Sequence, residues 1–135
     1  NRIYVATENN LFYLELEGQT LNRLSTINGL SDVGVAAMAK DPLRSTLVVA
    51  YNSTKIDIIE DNSIYSMLDV ERENIVGEKT INNITFNGDN AYLSCSFGII
   101  ELSTEKKEIA INKEEQILEN EENFFNNIFY YSPNN

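Results

Sequence analysis

The side chains best able to do chemistry here are acids and a single thiol, because the 135 residues include no histidine. Ser-His-Asp or Cys-His catalysis and histidine-ligated metals are therefore excluded for this chain alone. Cys95 is the one cysteine, which also excludes an internal disulfide and an all-cysteine zinc site. A nucleophilic thiol needs a base or a cation nearby, and the nearest lysines in sequence, Lys106 and Lys107, are distant. We interpret Cys95 as a thiol packed in the core.

Three acidic clusters offer oxygen ligands or paired carboxylates. They are Asp57 with Glu60, Asp61 and Asn62; Asp69 with Glu71, Arg72 and Glu73; and Asn87 with Asp89 and Asn90. The first and third lack the full ligand set of a calcium loop and are interpreted as surface turns. The second has the carboxylates of a glycosidase but falls between predicted blades, and is interpreted as a solvated loop. The sequence thus predicts no enzyme, no catalytic residue, no metal and no cofactor.

The charge balance narrows the possible partners. Ten residues are Lys or Arg and 21 are Asp or Glu, which gives a formal net charge of −11. Nucleic-acid binding and attraction to an anionic membrane both need clustered cations, so we predict neither. The longest apolar run, 33–39, is far shorter than the roughly 20 residues of a membrane-spanning helix. The 42% hydrophobic content is enough for a folded core.

An internal repeat organises the chain. Similar β-rich segments begin at Tyr4, Val48 and Tyr92, so that the step is 44 residues each time. Further β-rich segments follow in the same order in each copy: 11–16, 56–60 and 99–102, then 20–24, 63–68 and 106–109, then 33–39 and 81–86. Four short strands in each repeat of about 40–45 residues are typical of a β-propeller blade.

The predicted fold is therefore all-β, a β-propeller segment of about three four-stranded antiparallel blades. Blade material is expected at 2–25, 33–68 and 81–109, with the inner strand of a further blade at about 126–131. The Glu-rich residues 110–125 are expected to form an acidic connection between blades. Val35–Ala39 has a composition that also suits a helix, but the repeat register and the preceding Gly34 favour an inner strand.

Several motifs carry a family resemblance. Ile27–Val33 resembles the Gly-Leu-Ser connection of two-component-regulator propeller repeats, which leads into the inner strand of a new blade. The wider series resembles the N-terminal propeller of PorZ-like components of the type IX secretion system of Bacteroidetes. It consists of 29–32, 47–51, 56–59, 77–84, 91–94 and 97–100. The resemblance covers residues 2–109 and departs after Ile109, where the Glu-rich stretch begins.

The resemblance implies a larger protein with two propellers and a small C-terminal β-domain. It implies a non-catalytic scaffold that mediates protein–protein interaction in cargo processing and attachment at the outer-membrane surface. The implied partners are other protein subunits of a secretion or surface complex. The implied location is extracytoplasmic, at the cell surface or in the periplasm of a Gram-negative bacterium, peripheral to the outer membrane. The family implies no catalytic residue in this region.

An alternative is the ligand-sensing extracytoplasmic propeller of a hybrid two-component regulator that binds a glycan. Such sensors carry recurring tryptophans, and the absence of tryptophan here favours the scaffold. Propeller ligands commonly bind where the connections between blades gather. Arg23, Asp32, Lys79 and Asn82 are therefore the candidate binding residues, with hydrogen bonding inside the loops as the alternative role of each.

The repeat register also predicts how the blades are completed. The chain begins within a blade, and the next strand would fall just past Asn135. Propellers close when the first and last blades meet, so three blades leave faces and edges uncovered. We expect these residues to belong to a longer polypeptide, or to be covered by another chain.

Overall fold

The computed structural model describes residues 1–114 and is all-β, as the repeat predicts. Eleven strands form three antiparallel sheets, which we call blades 1, 2 and 3 in chain order. Blade 1 contains β1 (Arg2–Ala6), β2 (Leu11–Glu15) and β3 (Thr20–Leu24). Blade 2 contains β4 (Val35–Lys40), β5 (Thr46–Tyr51), β6 (Ile56–Glu60) and β7 (Ser63–Met67). Blade 3 contains β8 (Ile81–Asn87), β9 (Asn90–Cys95), β10 (Gly98–Ser103) and β11 (Glu108–Lys113).

Two short helical segments lie between the blades. A 3₁₀ turn at Thr26–Asn28 precedes β4, and the one-turn helix α1 (Asp69–Arg72) precedes β8. Among residues 1–114, no helix is long and apolar enough to cross a membrane.

The 44-residue register is confirmed in the strands. Tyr4, Val48 and Tyr92 lie in β1, β5 and β9, which occupy the same place in their sheets. Val35–Ala39 lies in strand β4, which confirms the strand interpretation over the helical one. β11 runs to Lys113, so residues 110–113 belong to a strand, not to the expected acidic connection. The remaining residues of that connection and the predicted strand at 126–131, with Ile128, lie outside the described residues.

The core consists of two apolar layers, one in each space between neighbouring blades. Leu47, Val49 and Ile59 of blade 2 form one layer with Leu11 and Leu30. The opposite face of blade 2 forms the other layer with blade 3; this layer includes Val48, Ile58, Ile84, Leu93 and Ile100. Both faces of β5 are buried because blade 2 lies between its two neighbours, and this explains why its sequence is a continuous apolar run.

Polar contacts add a second link between blades. The Arg2 guanidinium of blade 1 lies over the Tyr13 ring and donates to the carbonyl of Asp61 and the amide oxygen of Asn62 in blade 2. Between blades 2 and 3, Lys107 Nζ lies 2.7 Å from Glu60 Oε1. The oxygens of the cluster at 57–62 therefore accept hydrogen bonds from neighbouring blades.

The turn before β10 requires glycine. Gly98 has a φ of +149°, and a Cβ atom there would collide with the backbone carbonyl oxygen of Asn112 in β11. Only a residue without a side chain allows β10 and β11 to pair at this point.

Candidate functional site

One end of the blades gathers the connections that carry most of the candidate residues. In an antiparallel meander, the loop into the next blade lies at the same end as the turn between the second and third strands. These segments are 7–10, 25–34, 52–55, 68–80 and 96–97. Backbone bonds join them, since Asn52 N–H donates to Gly34 O at 2.9 Å and Ser96 N–H donates to Thr80 O at 2.9 Å. We call this the connection end.

Asp32 is the candidate with the most complete set of partners. Its carboxylate accepts a 2.8 Å hydrogen bond from the backbone N–H of Val33. The hydrogen bond from Ser53 is the largest of the effects that hold the pKa of Asp32 below its usual value, followed by the Val33 N–H and the positive charge of Lys55. Asp32 is therefore ionised at neutral pH and serves as an acceptor.

Lys55 is a residue of this site that sequence reasoning missed. Its Nζ lies 3.8 Å from Asp32 Oδ2 and 3.8 Å from Glu71 Oε2, so that it links the two connections that flank blade 2. The available signal was its position in the turn after β5, which must lie at the connection end. Nothing in the local sequence indicated that two acids from distant segments would meet it.

Asp57 lies behind this loop and corrects a sequence interpretation. It was expected in a surface turn, but it lies in β6 and is fully buried. Its carboxylate accepts hydrogen bonds from the Tyr51 hydroxyl (2.7 Å), the Ser66 hydroxyl (2.6 Å) and the backbone N–H of Ser31 (2.8 Å). Burial, followed by the bond to Asp57, raises the pKa of the Tyr51 hydroxyl far above its usual value. This network fixes the Gly29–Asp32 connection against blade 2.

Arg23 and Asp32 line the same small pocket between blades 1 and 2. The pocket encloses about 80 Å³, and its walls include Leu11, Leu30 and Tyr51. Arg23 is exposed at the end of β3 and has no ion pair within residues 1–114. The structure thus brings two of the four candidates together at the mouth of an apolar recess.

Lys79 is engaged inside its own connection. Its Nζ donates to the backbone carbonyls of Val70, Glu71 and Glu73 at 3.0, 2.7 and 3.1 Å. A lysine that caps the last carbonyls of a helical turn stabilises that turn. These three bonds give Lys79 a clear structural role.

Asn82 lies at a β-bulge. The register of β8 against β9 shifts between Ile81 and Asn83, which leaves Asn82 as the extra residue. β4 has the same irregularity between Val35 and Ala37. A bulge re-aims the side chain of the extra residue, and Asn82 is exposed, with its amide oxygen 3.1 Å from the Thr80 hydroxyl.

The carboxylates of the second acidic cluster are held by lysines. Glu71 lies beside Lys55, and Glu73 Oε2 lies 2.8 Å from Lys113 Nζ. Asp69 and Glu71 belong to the short helix α1 in place of the expected loop. Across residues 1–114, no group of three or more acidic or cysteine side chains could hold a metal ion.

Cys95 is expected to react slowly with alkylating reagents. It is half-buried, and burial raises the pKa of its thiol to about 12. Only the thiolate reacts, so at pH 8 iodoacetamide should modify Cys95 about a thousandfold more slowly than an ordinary thiol. The rate should rise about tenfold with each pH unit up to about pH 10, and the urea-unfolded chain is the control. A rate that levels off near pH 9 would contradict a buried thiol.

The fold and this end together define the class of protein. Antiparallel four-stranded sheets that pack face to face, with inner strands β4 and β8 side by side, form a β-propeller segment. The family model described as "TSS9, PorZ, N-terminal beta-propeller domain" matches residues 3–134. The chain belongs to this family of type IX secretion system propellers. The match also extends through the Glu-rich stretch, beyond residue 109 where the resemblance in sequence ended.

The solved structures provide a relative. The fold is similar to PorZ of Porphyromonas gingivalis, which is described as an essential bacterial surface component of the type-IX secretion system. The two are 24% identical with a TM-score of 0.75, and the match covers 82% of this chain and 15% of that one. The chain therefore corresponds to a small part of that protein's length. No curated protein matches the chain.

Proposed function

We propose that this propeller is a non-catalytic scaffold of a PorZ-like type IX secretion component. It mediates protein–protein interaction in cargo processing and attachment at the outer-membrane surface. Its partners are other protein subunits of a secretion or surface complex, and its location is extracytoplasmic and peripheral to the outer membrane. The observation that carries the proposal is the family match over residues 3–134.

The connection end is the surface that we propose for these contacts. Two of its loops present aliphatic side chains to solvent, since Ile27 is 95% exposed and Val76 is 100% exposed. Val33 is also exposed, next to Asp32. Apolar side chains among charged groups are typical of a protein–protein interface. The lysines that hold Glu71 and Glu73 support a binding role over acid–base catalysis there.

The test places a charge at the connection end of the full-length natural polypeptide. Ile27→Asp and Val76→Asp alter side chains that are almost fully exposed, so the free energy of unfolding should change by about 0.5 kcal/mol or less. We expect both variants to lose co-purifying subunits and to retain less cargo at the cell surface. The matched control is Leu43→Asp, an exposed aliphatic residue in the turn between β4 and β5 at the opposite end.

Three outcomes would count against the proposal. Complexes that remain intact in both variants would exclude the connection end as the contact surface. Glycan binding that is lost with Asp32→Ala or Arg23→Ala would favour the sensor alternative. Turnover of a glycan or peptide substrate that disappears with Glu71→Gln or Glu73→Gln would overturn the non-catalytic role.

A further inference from the structure

A groove lies at the outer rim of the propeller, between the last strands of blades 2 and 3. It has a volume of about 490 Å³. Residues 65–69 and 72 line one side, and residues 107–109 line the other. It is separate from the small pocket of Arg23 and Asp32, with which it shares no residue.

One wall of the groove is a free sheet edge. β7 is the outermost strand of blade 2 and pairs on one side only, with β6. Backbone N–H and C=O groups on the other side of such a strand can pair with another extended chain. β11 is likewise the outermost strand of blade 3, so the groove separates two sheet edges.

The base of the groove is apolar and only partly covered. Tyr65 lies opposite Ile58, so its side chain is on the face of blade 2 that packs against blade 3. Blade 3 leaves it 46% exposed. Met67 and Ile109 line the groove beside it. The corresponding position in blade 1 holds Asn22, opposite Tyr13, so the space between blades 1 and 2 has no such aromatic side chain.

The rim provides one unpaired cation. Arg72 is exposed and has no ion pair within residues 1–114, and Asp69 at the start of the same helix does not pair with it. The other cation, Lys107, is occupied by Glu60 and by the carbonyl of Thr104. Glu108 provides a negative charge near Lys107. A free guanidinium in a chain of net charge −11 favours a ligand that brings a carboxylate to the Arg72 side.

We propose that this groove binds an extended acidic segment of a protein partner. The segment adds as a fifth strand to blade 2 along β7 and packs an apolar side chain against Tyr65. Its carboxylate pairs with Arg72. This inference depends on the groove alone and remains valid if the connection end makes no contacts.

The test uses a defined peptide panel with the full-length natural polypeptide. Labelled octapeptides alternate threonine with valine, leucine or phenylalanine, and each is made with a terminal aspartate and with a terminal lysine. Fluorescence anisotropy should show that the aspartate form binds about two- to fivefold more tightly, as one exposed ion pair provides. Arg72→Glu should reverse this preference, and Tyr65→Ser should weaken binding of both forms.

Two further measurements make the result decisive. Lys106→Glu changes the charge equally at an exposed lysine that does not line the groove, and it should leave the preference intact. Hydrogen exchange should show that bound peptide protects the amides of residues 63–67. Failure of every peptide to bind, protection confined to other strands, or a preference unchanged by Arg72→Glu would overturn the proposal.

Discussion

Val49→Asp is expected to cost about 4–5 kcal/mol of unfolding free energy, which is most of the stability of a typical domain. Val49 is 0% exposed and lies in the apolar layer between blades 1 and 2. Its direct partner across the β5–β6 pair is Asp57, whose carboxylate is also buried. The variant would therefore bury a second carboxylate opposite the first, with no cation to pair with it.

A matched variant separates the effect of charge from that of lost volume. Val49→Ala removes two methyl groups and should cost about 1–3 kcal/mol, since it leaves a small cavity without a charge. Urea unfolding followed by circular dichroism measures both variants in the full-length polypeptide. A Val49→Asp protein that unfolds within 1 kcal/mol of wild type would show that β5 is not buried between two blades.

The predictable part of the fold was the part that repeats. Every blade places a strand at the position of Val48, and each blade needs turn-forming residues after that strand, so the spacing reports the architecture directly. Val35–Ala39 shows the strength of that constraint, because its alanines and methionine alone would suit a helix. The register decided the interpretation correctly.

The candidate site was less predictable because its contacts join distant segments. Asp57 is surrounded in sequence by polar residues and was interpreted as part of a turn, yet Tyr51, Ser66 and Ser31 converge on it only after blade 2 folds. The same position in blade 3 is Ile100, which is paired with Leu93 as Asp57 is with Val49. A repeat predicts the location of a residue, but not where a buried polar network replaces an apolar pair.

Lys79 shows the opposite limit. Sequence reasoning placed it correctly in the connection before β8, but a single sequence cannot distinguish a ligand-binding lysine from one that caps a turn. Three carbonyls within 3.1 Å of its Nζ account for its charge. Arg23 and Arg72 differ from it because their guanidinium groups make no ion pair within residues 1–114.

The uncovered face of blade 1 leads to the last prediction. Within residues 1–114, no strand pairs with the outer edge of β1, and blade 1 remains three-stranded. Ile3 and Val5 of that strand are 47% and 50% exposed, and Leu21 of β3 lies on the same face. The equivalent face of blade 2 is covered by blade 1, and that of blade 3 by blade 2. Repetition therefore shows that this kind of face is normally buried.

The 135 residues made alone are consequently expected to associate. An apolar face beside an unpaired sheet edge favours contact between copies. Multi-angle light scattering should give a mass well above 15.3 kDa, and the mass should increase with concentration. Replacing Ile3, Val5 and Leu21 by lysine should move the mass toward that of the monomer. Lysine at Leu43 and Val76, which are exposed elsewhere, should leave it unchanged. A stable monomer that unfolds cooperatively would mean that the face of blade 1 needs no cover.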